Sequence, residues 1–139
     1  MKANLIIAAA LAGLAATTAL AQDLGQREPL MKDIARNFGA LNKMNRGQTP
    51  YDAAAAKAAF EQIAVSSHTF GTLFTSTPTP KDRSLPSIWE NKADFDTRNA
   101  KLTASAKAGA ATQDEAGFKA AFADLGPQCG GCHKVYRGD

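Results

Sequence analysis

The chain has 139 residues, 45% of them hydrophobic and 21% charged, with a formal net charge of +3. That length supports one domain around one core rather than two. The basic excess is small, and no dense Lys/Arg run interleaved with aromatics points to nucleic acid.

The first 21 residues stand apart. Lys2 gives a short basic start, Leu5-Ile6-Ile7 opens an Ala/Leu-rich run to about Leu14, and Ala19-Leu20-Ala21 has the small-residue pattern of a cleavage site. Residues 1–21 are expected to be a secretory signal peptide and residues 22–139 the working domain. The alternative, an N-terminal membrane anchor, fits less well, because the apolar run is shorter than the roughly 20 residues that span a bilayer. Cleavage leaves 118 residues and removes Lys2, so the formal charge falls from +3 to +2. The mature chain is expected to have no membrane span.

Four helical segments follow, rich in alanine, the best helix former. The first runs from about Gly25 to Arg46, with Leu30, Ile34, Phe38, Leu41 and Asn45 on one stripe and Met31 beside it. Gly47 suits its C-terminal cap. Pro29 is tolerable only near the helix start. The second segment runs from about Tyr51 to Thr69, with Ala56, Phe60 and Ile63 on its apolar stripe and Phe70, Leu73 and Phe74 beyond. Thr75-Ser76-Thr77-Pro78-Thr79-Pro80 reads as a loop. The third segment begins near Ser87, carries Ile88, Phe95 and Leu102 on one face, and ends at Gly109. The fourth starts near Thr112 or Gln113. Phe118, Phe122, Leu125, Cys129, Cys132 and Tyr136 follow at spacings of four and three, a seam that points both cysteines inward. The pattern predicts an all-α, antiparallel four-helix bundle.

Cys129-Gly130-Gly131-Cys132-His133 has the C-x-x-C-H spacing of a haem c attachment site. Two sulfurs three residues apart lie near one helix face, where they can add to the two vinyl groups of a porphyrin. The adjacent His133 then serves as proximal iron ligand. Three alternatives compete. A disulfide closing so short a loop would constrain the unfolded chain little. A thioredoxin-like C-x-x-C belongs beside a strand at a helix start. A zinc site needs about four ligands, whereas the chain has two Cys and two His. The second histidine, His68, reads as a surface or internally satisfied residue rather than a ligand.

In these features the sequence resembles the class II c-type cytochromes, the cytochrome c′ family. Gly47-Gln48-Thr49-Pro50-Tyr51-Asp52-Ala53-Ala54 is similar to the family's turn between helices one and two, and Pro86-Ser87-Ile88-Trp89, with Phe95 following, to its helix-three start. Cys129 to His133 with Tyr136-Arg137 is similar to its C-terminal signature. The resemblance implies a periplasmic monohaem protein, with one covalent haem c held near the C-terminal helix and periplasmic redox proteins as partners. Many relatives are dimers through helices one and two.

The distal residue divides the family. By resemblance that position is Met31, and Leu30-Met31-Lys32-Asp33 is similar to the low-spin, methionine-ligated branch, which implies electron transfer rather than catalysis. The alternative is a five-coordinate cytochrome c′ that binds NO or CO, with Met31 off the iron or serving only as a core gap-filler. Met44 is the other methionine that could ligate. The resemblance further pairs Arg27, one turn before Met31, with a haem propionate. It places Arg137 beside the proximal face, and Trp89 and Phe95 against the haem edge, where both could equally be plain core.

Overall fold

The computed structural model describes residues 25–75 and 83–139. The expected signal segment, and the expected loop beyond Thr75, lie outside the described residues. The described residues form four long helices and one short one: α1 (residues 25–45), α2 (Ala53–Gly71), α3 (Ser87–Glu90), α4 (Lys92–Ala110) and α5 (Glu115–Tyr136). The described residues hold no strand beyond an isolated antiparallel bridge between Ser84 and Arg137.

The helix ends follow local chemistry. Gly47, at φ 67, closes α1: its N–H donates to Met44 O, and the Gln48 N–H donates to Lys43 O. Asp52 caps α2 by accepting from the Ala55 N–H at 2.9 Å, which leaves Tyr51 outside the helix. Asp114, rather than Thr112 or Gln113, caps α5 through the Gly117 N–H at 2.7 Å. The third segment departs most from expectation. It is two helices, because Asn91 leaves helical geometry at φ −124, ψ 45. The break keeps Ile88, Phe95 and Leu102 buried at 2%, 1% and 8% exposure, so the expected face survives a kink the spacing did not reveal.

Polar contacts set the register of adjacent helices. Asp33 accepts from Ser66 and Gln62, tying α1 to α2. Ser67 and Thr103 share a buried bond of 2.8 Å between α2 and α4. Ser105 donates to Asp124 between α4 and α5. Second contacts give the directions: Arg27 meets Leu73 while Asp33 meets Ser66, Gly71 meets Asn99 while Gly109 meets Phe60, and Asp94 meets Tyr136 while Ser105 meets Asp124. Each long helix therefore runs antiparallel to the next, and α1 is antiparallel to α5.

Two buried clusters fill the bundle. One centres on Ile34, Leu41, Phe60, Ile63, Phe118, Phe122 and Leu125. The other joins Leu73, Phe74, Ile88, Phe95 and Tyr136. Burying such side chains is worth about 1.5–3 kcal/mol each, enough to carry α5 through Pro127. That residue gives up a helical N–H and costs about 3 kcal/mol.

Candidate haem-binding site

The two cysteines sit where the clusters meet. Cys129 packs against the first and Cys132 against the second. Both are half-buried and free. Burial pushes both thiols up; at Cys132 the Arg98 charge opposes the rise. His133 is half-buried in the last turn of α5, and its carbonyl accepts from the Arg137 N–H at 3.1 Å. Burial first, and the Arg137 charge second, hold the imidazole below its ordinary proton affinity. That favours the neutral ring that binds a metal.

Met31 lies at about the same level on the facing helix α1. Phe38 on α1 stacks on Phe122 of α5 with centroids 5.0 Å apart, and Gly126 faces the tip of its ring. Met31 is seven residues, about two turns, before Phe38. Along antiparallel α5, two turns from the Phe122–Gly126 contact lead to the Cys129–His133 motif. Met31 is half-buried and packs, with Cys129, on the first cluster. Met44 packs on the same cluster, but its thirteen-residue offset from Met31 places it toward Phe118 at the other end of α5.

Arg27 is 3% exposed. Its guanidinium donates to Leu73 O at 2.9 and 2.6 Å and lies 4.2 Å from the Phe74 ring centroid. Trp89, 5.5 Å from the same guanidinium, packs on the second cluster, and its buried Nε1–H has no partner among the described residues. An unpaired buried donor is costly in a native core. Phe95 is buried among Phe70, Phe74 and Tyr136. Arg137 is exposed, and with Arg83 and Lys134 it lines an open cavity of about 410 Å³ beside His133. His68 is exposed on α2.

These residues fit a haem. Two unpaired thiols share one helix face, an imidazole follows them, a thioether stands level on the opposing helix, and an indole N–H waits beside a buried guanidinium. Zinc lacks a ligand set, because among the described residues no three His, Cys, Asp or Glu side chains converge. Sequence reasoning missed Arg98 of α4. It donates to the Gly131 carbonyl inside the motif at 3.0 Å and to Asp94 at 2.6 Å. The i,i+4 spacing of Asp94 and Arg98 was visible; the level of Arg98 against Gly131 is a property of the folded bundle.

A helical bundle that gathers these donors at the end of its last helix defines a haem-bearing bundle cytochrome. The family model described as Cytochrome C' matches residues 22–137. Cytochrome c-556 of Agrobacterium tumefaciens (strain II Chrys) is 40% identical over 119 residues, covering 84% of this chain and 98% of that protein. Cytochrome c prime from Shewanella frigidimarina superposes with a TM-score of 0.80 at 32% identity, covering 86% of this chain and 97% of that one. A structural model of oxidized Rhodopseudomonas palustris cytochrome c556 gives a TM-score of 0.73 at 31% identity, covering 84% and 96%. The chain belongs to the cytochrome c′ family, the class II c-type cytochromes, and its cofactor is a covalently attached haem c.

Proposed function

We propose that this chain is an exported monohaem cytochrome that carries single electrons, with His133 and Met31 as the ligands of its iron. The observation that carries the reading is the Phe38–Phe122 register, which sets Met31 level with the attachment motif. Similarity to proteins named cytochrome c-556 supports it.

The bound haem supplies a one-electron iron couple, whose potential a thioether ligand raises. The chain's residues do the rest. Cys129 and Cys132 would hold the haem through two thioether links, each thiol S–H adding across one vinyl double bond, so the cofactor would not dissociate. His133 would offer a neutral ring nitrogen to the iron. Met31, unbranched and flexible, would offer its thioether sulfur as the second ligand and so close the iron to small ligands. Arg27 and the Trp89 Nε1–H supply a positive charge and a free donor for a propionate. Trp89 and Phe95 would wall the haem edge, and burial, with the Arg137 charge adding to it, favours the unprotonated imidazole.

No helix among the described residues is long and apolar enough to cross a membrane. Residues 1–21 act in this reading as a cleaved export signal that delivers residues 22–139 to the periplasm and its redox proteins. Pairing of two copies through α1 and α2, where Val65 stands 62% exposed, extends the reading.

The test is an optical spectrum of the ferric protein, with acid extraction of the haem. A low-spin spectrum with a sulfur-to-iron band, and haem retained on the polypeptide, is the expected result. A high-spin spectrum would instead assign a five-coordinate cytochrome that binds NO or CO.

A further inference from the structure

The stretch of α5 that carries the attachment motif is its weakest. Pro127 removes one helical hydrogen bond. Gly126, Gly130 and Gly131 each cost about 1 kcal/mol relative to alanine in a helix interior. Yet α5 runs unbroken to Tyr136. Something outside the helix must hold this turn.

The structure supplies a tether at Gly131. Arg98 NH1 donates to its carbonyl at 3.0 Å, across from α4. The guanidinium is fixed at its other side, because its Nε donates to Asp94 Oδ2 at 2.6 Å. That same carboxylate oxygen accepts from the Tyr136 hydroxyl at 2.5 Å. Tyr136 is 3% exposed and is held edge-on by Phe95 at 5.4 Å, and Arg98 lies 5.9 Å from its ring centroid. A rigid aromatic thus orients a carboxylate, which orients an arginine, which grips a carbonyl between Cys129 and Cys132. A Cβ built on Gly131 would meet Arg98 NH1 at 3.7 Å, ordinary contact. The guanidinium therefore lies beside that residue without crowding it.

We propose that Arg98, oriented by Asp94 and Tyr136, is a positioning residue for the haem-attachment turn, holding Cys132 and His133 in place through the Gly131 carbonyl. The proposal rests on Cys129, Cys132 and His133 being the attachment motif. The guanidinium also brings a fixed positive charge to this turn, and such a charge favours the reduced, less positive state of a bound iron. Arg98 therefore acts on both the geometry and the potential of the site without touching the iron.

The experiment uses the haem-loaded protein. Haem retention after acid extraction of the wild type first decides the attachment motif by itself. Arg98→Gln, Arg98→Lys, Asp94→Asn and, as a control at the far end of α4, Lys107→Gln are then compared by amide hydrogen exchange over residues 129–134 and by reduction potential. Loss of one charge-assisted hydrogen bond should speed exchange there roughly tenfold in Arg98→Gln, with a lowered potential. Arg98→Lys should recover most of the potential but little of the protection, because an ammonium lacks the two-pronged geometry. Lys107→Gln should match the wild type. If Arg98→Gln fails to accumulate, Asp94→Asn decides: faster exchange confined to 129–134 supports the tether. Wild-type exchange in Arg98→Gln, or in Asp94→Asn where that stands in, overturns the proposal even with haem attached.

Discussion

Phe38 of α1 and Phe122 of α5 stack at 5.0 Å with their planes 27° apart, joining the first and last helices of the bundle. These helices are far apart in sequence, and their relative height decides which side chains face each other at the attachment motif. Phe38→Ala should cost about 2 kcal/mol, below the value for a fully buried phenylalanine because Phe38 is only half-buried. Chemical denaturation of the haem-loaded protein would measure it. Phe38→Leu should recover most of the loss. Equal loss in both would show that the stacked ring, rather than filled volume, sets the register.

Gly109 marks a close approach of α4 to α2. A Cβ there would meet the Phe60 ring at 2.4 Å, and Phe60 is fully buried with no room to retreat. Gly109→Ala should therefore destabilise the fold by about 1–3 kcal/mol through overpacking, although alanine is the better helix former. A stability equal to or above wild type in urea titration would contradict the packing.

Much of this was legible in the sequence. The seam from Phe118 to Tyr136 required only spacings of three and four, and every member is buried or half-buried. Gly47 was readable as a cap because few other residues accept a positive φ. The break at Asn91 was not readable, since Ile88, Phe95 and Leu102 keep their seven-residue spacing across it. Arg27 shows the limit at the site. Its turn relation to Met31 was visible, but its grip on Leu73 O, 46 residues away, depends on how the end of α2 folds back. Helix periodicity reports which face is buried; it does not report which carbonyl a long side chain will find.

Asp94 gives the site a pH signature. Its carboxyl is held below the ordinary range, first by the Arg98 hydrogen bond and then by that of Tyr136. A carboxylate with a depressed folded pKa adds stability that is fully present above its unfolded value, near pH 4, and is lost as pH falls through the folded value. Asp94→Asn should therefore be less stable than wild type at pH 7, and the gap should narrow below about pH 4. Urea midpoints for both proteins at pH 7 and pH 3 would show it. A gap of the same size at both pH values would mean that Asp94 acts through packing rather than through charge.

The functional reading turns on Met31 and its contrast with Met44. Both are half-buried and both pack on the first cluster, so burial alone does not separate them. Register does. Met31 is two turns from Phe38 toward the motif, whereas Met44 lies beyond Phe38 in the other direction, at the level of Phe118. A thioether must come within about 2.3 Å of a metal to bind it, a reach that one flexible side chain can make from the facing helix but not along a further three turns of bundle. Met31→Leu keeps the volume and removes the donor, so the fold should lose less than about 1.5 kcal/mol. The ferric spectrum should then change from low-spin to high-spin, the potential should fall, and CO should bind the reduced protein readily. Met44→Leu should leave all three unchanged. A low-spin spectrum surviving in Met31→Leu would assign the sixth ligand to another residue, and a shift in Met44→Leu alone would show that the α1–α5 register is misplaced.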